Sequence, residues 1–260
     1  MMPLLQLCCR VWPRAVALQR CCHSLPTQNL KSIDEALVKG KLLQTEAILK
    51  QATTLYKPDE VMLCFNGGKD CTVLLDVLIR QCKDATPLRA MCVNSHEPFE
   101  EMEQFIATTL QRYSVKLQRY NGHLKLAVEQ ALAEQPQVRA MFLGCRRTDP
   151  GCAELTSMMP CDNGWPALMR IFPLLDWSYH DVWNYLRSRQ LPYCSLYDQG
   201  YTSLGERSST RMNPSLLAFD EQLGKLIYRP AYELKDDKLE RANREDTQLV
   251  NRTRQHHQNP

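Results

Sequence analysis

The sequence predicts an α/β protein built on a doubly wound, Rossmann-like, mainly parallel sheet. Between about residues 33 and 190, apolar runs of strand length alternate with segments whose apolar residues recur at helical spacing, and such alternation places helices on both faces of a parallel sheet. A glycine pair, Gly67-Gly68, closes one of these strand-like runs and opens the next helix, which is where such sheets bind ligands. A chain of 260 residues, 44% hydrophobic, supports one main domain with at most a small appended lobe.

Taken in order, Ser32 and Glu35 form a capping box, and Ile33, Ala36, Leu37, Leu43, Ala47 and Ile48 carry a first helix toward Tyr56. Lys57-Pro58-Asp59 breaks it, and residues 61–65 read as a strand buried on both faces. After the glycine pair, Val73, Leu74, Val77 and Leu78 mark a helix over residues 71–81, followed by a strand over 88–93. A third helix starts near Pro98, with Glu97, Glu100 and Glu101 suited to its N-terminus. A strand over 115–120, a helix over 124–133 and a strand over 139–144 continue the alternation. Residues 145–170 are irregular and rich in Pro and Gly, and ordered loops of that length usually serve function. A strand over 169–174 precedes a helix capped by Ser178 and Asp181 that runs to about Arg189, after which the chain is loop-rich. Trp177 and Trp183 in this stretch read as core residues.

The N-terminal segment holds Arg10, Arg14, Arg20 and Lys31 before its first acid, Asp34. That asymmetry is the mark of a transit peptide, expected over residues 1–28, and implies a mitochondrial location with the cytoplasm as the alternative. The pairs Cys8-Cys9 and Cys21-Cys22 leave palmitoylation open as a second reading. Loss of the segment would turn 32 basic against 29 acidic residues into a near-neutral balance, which argues against a nucleic-acid partner and for small substrates. No apolar run reaches the roughly 18 residues of a membrane span. The twelve cysteines contain no C-x-x-C spacing, and Cys64, Cys71, Cys82 and Cys92 sit in or beside core segments as reduced thiols.

The chemistry concentrates in Phe65-Asn66-Gly67-Gly68-Lys69-Asp70. Glycines let a backbone approach a phosphate closely, and the following helix adds its positive end. Lys69 can neutralise phosphate charge, and Asp70 can either cap the helix or help to place Mg2+. An ordinary turn is the competing reading of Asn66-Gly67-Gly68, and the loop is neither G-x-x-x-x-G-K-[ST] nor G-x-G-x-x-G.

Asn66-Gly67-Gly68-Lys69-Asp70-Cys71 resembles the S-G-G-x-D-S loop of the PP-loop ATP pyrophosphatases, and its leading Asn resembles the eukaryotic FAD synthase branch of the PAPS reductase-like family. Further blocks share the resemblance: 144–150 (Gly-Cys-Arg-Arg-Thr-Asp-Pro), Gly164-Trp165-Pro166 on to Arg170-Ile171, 173–177, 201–205, 228–232, and Glu240-Arg241-x-x-Arg244. It covers about residues 32–245 and implies a fold of the adenine nucleotide α-hydrolase type, with a domain over 32–232 and a tail over 233–260 that reaches over the site. The implied reaction is FMN plus MgATP giving FAD and pyrophosphate, with Mg2+ as cofactor and delivery of FAD to apo-flavoproteins as an associated role.

The resemblance also implies the site. Phe65, Asn66, Gly67, Gly68, Lys69, Asp70, Asn94 and Cys145 would surround ATP, with Asn66, Asp70, Asp149 and Arg241 as the catalytic set and Asp70 or Asp149 on the metal. Asp162, Asn163, Gly164, Trp165, Arg170 and Ile171 would hold the flavin, and Arg146, Arg241 and Arg244 the phosphates. Asn163 stands where the family commonly has Pro, and the transit-like segment is expected to stand in place of the molybdopterin-binding-like domain of many animal members. Two bland alternatives stay open: capping for Asp70 and Asp149, and a solvated mixed-charge helix for residues 235–254. A sulfonucleotide reductase of the same fold needs a nucleophilic cysteine in its C-terminal part, and no cysteine follows Cys194. A non-catalytic flavin or nucleotide binder is the remaining rival.

Overall fold

The computed structural model describes residues 35–81, 88–162 and 164–245. Helix α1 (Glu35–Leu55) runs up to the Lys57-Pro58 break and leads into β1 (Val61–Cys64). Then follow α2 (Lys69–Gln81), β2 (Arg89–Val93), α3 (Glu100–Tyr113), β3 (Lys116–Tyr120), α4 (Leu124–Glu134) and β4 (Ala140–Phe142). β5 (Met158–Pro160), β6 (Met169–Ile171), α5 (Tyr179–Ser188) and a hairpin of β7 (Leu217–Asp220) and β8 (Lys225–Tyr228) complete the described chain.

Six strands form one sheet in the order β3-β2-β1-β4-β6-β5. All neighbours are parallel except the edge pair β5–β6. In β1 the pleat sends Leu63 into one core with Ala90, Phe142, Val73, Leu74 and Trp183, and Met62 into a second core with Met91, Met141 and Val128. Both faces are therefore dry, as the continuous apolar run implied. Because β2 lies on one side of β1 and β4 on the other, the loops leaving β1 and β4 diverge at a topological switch point, and the crevice between them opens at the strands' carboxyl ends.

Helix α5 has the expected capping box: Ser178 Oγ accepts from the Asp181 N–H at 3.1 Å and Asp181 accepts from the Ser178 N–H at 2.8 Å. Trp177 and Trp183 are buried, and Trp177 Nε1 donates to Thr45 Oγ1 at 2.9 Å, fastening α1 to the turn before α5. Buried Asp76 of α2 accepts from Tyr185 of α5 at 2.7 Å and Tyr113 of α3 at 3.0 Å, and pairs with Arg80 at 2.7 Å. One carboxylate thus joins three helices.

Several expectations change. α2 begins at Lys69, two residues early, so Lys69 and Asp70 belong to its first turn. α3 starts at Glu100 with Phe99 as N-cap and no side-chain cap bond; Glu100, Glu101 and Glu103 lie in its first turn, where their charge suits the dipole, Glu103 also pairs with Arg119 at 2.8 Å, and Glu97 lies outside. β5 and the β7–β8 hairpin add to the expected elements. Where a mixed-charge helix over 235–254 was one option, residues Asp237–Leu239 form a 3₁₀ turn and residues 240–245 fold back on the domain. Ser32, Ile33, Cys82, the transit-like segment and the tail beyond Glu245 lie outside the described residues. No helix among the described residues is long and apolar enough to cross a membrane.

Candidate active site

Gly67 has φ +76°, and a Cβ there would meet Met102 Sδ at 2.6 Å and Ile106 Cγ1 at 2.7 Å, both on α3. Only glycine lets the loop lie this close to that helix. Asn66 Oδ1 accepts from the Gly68 N–H at 2.9 Å, an Asx-type turn that occupies the carbonyl end and leaves the exposed side chain's amide end as the donor. The Lys69 N–H donates to Tyr197 Oη at 3.1 Å. Two loop amides are therefore engaged within the chain, and the cradle expected from them is narrower than the glycine pair suggested. Gly144, at the end of β4, brings its own loop against the start of α2: a Cβ there would meet Cys71 Sγ at 3.0 Å and Cys71 N at 3.1 Å.

The side chains at this junction form a buried ionic cluster. Lys69, 3% exposed, places Nζ 2.5 Å from Glu240 Oε1 and 3.1 Å from Asp70 Oδ2. Arg146, 1% exposed, sets Nη2 at 2.7 and 2.6 Å from the two Glu240 oxygens and Nε 2.7 Å from Asp70 Oδ1. That last contact is an ion pair without hydrogen-bond alignment. Asp149 Oδ2 accepts from the Arg146 N–H at 2.8 Å. Two cations thus face three carboxylates, leaving one surplus negative charge. Burial works against the Asp70 charge, but Lys69 and Arg146 outweigh it and hold that carboxyl below the usual range. Asp149 moves upward, driven by burial and by Asp70 and Glu240 against the pull of Arg146. Burial likewise opposes the Lys69 charge, which Asp70 and Glu240 more than restore.

Both cations named for phosphate binding, Lys69 and Arg146, are held by carboxylates of the chain. In the first turn of α2 the Lys69 ammonium points inward to Glu240, and the Arg146 guanidinium is enclosed by carboxylates. Asp70 and Asp149 keep side-chain exposures of 19% and 28% and remain reachable. Arg147 pairs with Asp176 at 2.7 Å. Asn94 sits at the end of β2, its Nδ2 donating to Asn121 at 2.9 Å, and half-buried Cys145 follows Gly144, its thiol pushed up by burial. Phe65 is fully buried in the core and contributes backbone only.

The expected flavin segment follows β5. Asp162 has a 58% exposed carboxylate 3.9 Å from Arg170, and its carbonyl accepts from the Trp165 N–H at 3.0 Å. Trp165 is exposed and Gly164 has φ +74°. Arg170 donates to the Pro160 carbonyl at 3.0 Å. The Ile171 side chain is fully buried in the sheet core, where strand alternation puts it, so this residue presents backbone only. Asn163 lies outside the described residues.

The sequence reading missed Glu240, the tail residue that both buried cations share. Its only signal was its place in Glu240-Arg241-x-x-Arg244. Arg244 Nη1 donates to Ser203 Oγ at 3.3 Å, and Gly205 leaves room for the guanidinium, which a Cβ would strike. Half-buried Arg241 has no side-chain partner among the described residues.

Residues 60–130 and 118–212 match the family model of the phosphoadenosine phosphosulfate reductase domain. The chain is 36% identical over 238 residues to a protein named probable FAD synthase of Caenorhabditis briggsae, covering 90% of this chain and 45% of that one. It therefore spans less than half the length of that relative. With the probable FAD synthase of Schizosaccharomyces pombe it shares 35% identity over 240 residues, 89% of this chain and 87% of the other. In three dimensions it is similar to the Candida glabrata FMN adenylyltransferase crystallised with FAD and inorganic pyrophosphate: TM-score 0.75, 28% identity, covering 84% of this chain and 92% of that one.

Proposed function

The chain belongs to the phosphoadenosine phosphosulfate reductase domain family and, within it, to the FAD synthases, and we propose that it transfers the adenylyl group of ATP to FMN, releasing pyrophosphate. The observation that carries this reading is the Asn66-Gly67-Gly68 loop at the switch point, with the accessible carboxylates of Asp70 and Asp149 beside it. An oxygen of the FMN phosphate bonds to the α-phosphorus of ATP while the bond from that phosphorus to the α,β-bridging oxygen breaks, and the electron pair leaves with pyrophosphate. The nucleophile is already ionised, so no general base is required; the barrier lies in aligning two anions and stabilising the charge on the equatorial oxygens.

Asn66 offers its amide N–H to an α-phosphate oxygen, the α2 N-terminus faces the departing pyrophosphate, and Arg241 supplies positive charge, with Arg244 beside it. Asp162, Gly164 and Trp165 present a carboxylate and a ring to the flavin. Asp70 and Asp149 fit Mg2+ as part of its shell, because both carboxylates keep exposed area beside the loop and Mg2+ is commonly shared between one or two carboxylates and substrate phosphates. When bound, the ion would supply charge to those phosphate oxygens. The acid-free, arginine-bearing segment before Asp34 supports a mitochondrial site of action, where FAD would pass to apo-flavoproteins.

Chromatography of the protein incubated with FMN and MgATP tests the reading. FAD and pyrophosphate should accumulate in equal amounts; ligand binding with no FAD across Mg2+, Mn2+ and Co2+ would leave only a nucleotide-binding module.

A further inference from the structure

Glu240 is 7% exposed within a polar segment whose Lys235, Asp236, Lys238 and Leu239 are all exposed. Its backbone is fixed as firmly as its carboxylate. Thr202 Oγ1 donates to the Glu240 carbonyl at 2.6 Å, and Asn213 Nδ2 donates to the Leu239 carbonyl at 2.8 Å. Asn243 Nδ2 reaches the carbonyls of Ser203 at 2.9 Å and Arg211 at 2.8 Å. Buried asparagine and threonine side chains thus hold residues 239–243 from one side, and the Lys69–Arg146 pair holds Glu240 from the other. A charge is buried at this cost only where its partners are exact, and removing one partner of such a set is strongly unfavourable. The next residue, Arg241, is half-buried and its side chain has no partner among the described residues.

We propose that Glu240 is a positioning residue: by docking on Lys69 and Arg146 it ties the tail to the ATP loop and sets Arg241 over the reacting phosphates. The inference rests on the adenylyl-transfer reading above. Lys69 opens α2 directly after the loop and Arg146 follows β4, so one carboxylate reads the relative position of both walls of the crevice and passes it to Arg241 through a single peptide unit. The buried cations are the socket for the tail, and Arg241 is the group that touches substrate.

A double-mutant cycle on FAD formation tests this, using Glu240→Gln, Arg241→Ala and the double variant of the full chain with FMN and MgATP, each melted as a control. Glu240→Gln keeps the shape and removes the charge; it should lower kcat about tenfold or more with little change in KM for FMN. In the Arg241→Ala background the same change should cost less than about twofold, because coupled residues are not additive. Losses that multiply, or a Glu240→Gln variant with unchanged kcat and a lowered melting temperature, would overturn the proposal and leave a structural ion pair. If Glu240→Gln does not fold, Thr202→Val loosens the same segment without touching the carboxylate; its loss of kcat should likewise vanish in the Arg241→Ala background, and persistence there counts against the proposal. Wild-type protein that makes no FAD sinks the reaction assignment and this inference together, whereas active wild type with multiplicative losses sinks the inference alone.

Discussion

Gly67→Ala should destabilise the protein well beyond the effect of a left-handed backbone alone, and Gly151→Ala supplies the comparison. Both glycines have φ +76°, but a Cβ at Gly151 meets nothing within 4 Å, whereas at Gly67 it meets Met102 Sδ at 2.6 Å and Ile106 Cγ1 at 2.7 Å. The backbone contribution, about 1–2 kcal/mol for a non-glycine residue in this region, is common to both. Met102 can swing aside, but Ile106 is 2% exposed, β-branched and fixed in α3, so the loop or the helix must move. Overpacking of this kind adds about 1–3 kcal/mol. Gly67→Ala should therefore cost about 2–5 kcal/mol in denaturant titrations, against about 1–2 for Gly151→Ala, with each kcal/mol lowering Tm by about 2–4 °C at this chain length. Equal losses, within about 0.5 kcal/mol, would mean that the loop is not seated against α3 as described.

Other outcomes follow from the same geometry. Asn66→Ala should lower kcat for FAD formation by about 100-fold while changing ATP affinity by less than about threefold, since its amide is assigned to charge that develops in the transition state; steady-state kinetics with ATP titration separates the two. Asp162→Ala should instead raise KM for FMN about tenfold with a smaller change in kcat, and the reverse pattern would exchange the assignments. Asp76→Asn should cost about 2–4 kcal/mol of stability at neutral pH by weakening a carboxylate that three helices share. Burial opposes the Asp76 charge, but hydrogen bonds from Arg80, Tyr185 and Tyr113 win, so its folded carboxyl lies below the unfolded value of about 3.9. Its contribution is then complete above about pH 4 and is lost as pH falls through the folded value; the gap between wild type and variant should hold from about pH 7 to 5 and narrow in stronger acid.

The sheet and its order of elements were legible because a buried parallel strand and an amphipathic helix each write a distinct period. The short elements were not. Met158–Pro160 forms β5 from three residues in a Pro-rich loop, too few for any alternation to register, and it exists because β6 offers an open edge. The hairpin had a readable signal in Gly224 between two short apolar runs, yet Leu217, Phe219 and Leu226 face outward and carry no core pattern. The first two residues of α2, Lys69 and Asp70, are charged and add nothing to an apolar period, so the pattern marks the helix only from residue 71. Glu240 escaped for the same reason: periodicity reports where apolar side chains go, and a buried carboxylate becomes visible only once Lys69 and Arg146 are seen to meet behind the loop. The Asn66 loop stands out in sequence because its residue types and order are unusual at a strand end, and Ile171 shows that a residue in the same block as Asp162 can still belong to the core.

In the proposed reaction this crevice cleaves ATP between its α and β phosphates and moves the adenylyl half onto FMN. Parallel incubations with ATP labelled at the α or the γ phosphate, resolved by chromatography, decide it. Label from the α position should appear in FAD and label from the γ position in pyrophosphate. ADP and labelled inorganic phosphate as the initial products, or FAD carrying no α label, would rule the claim out.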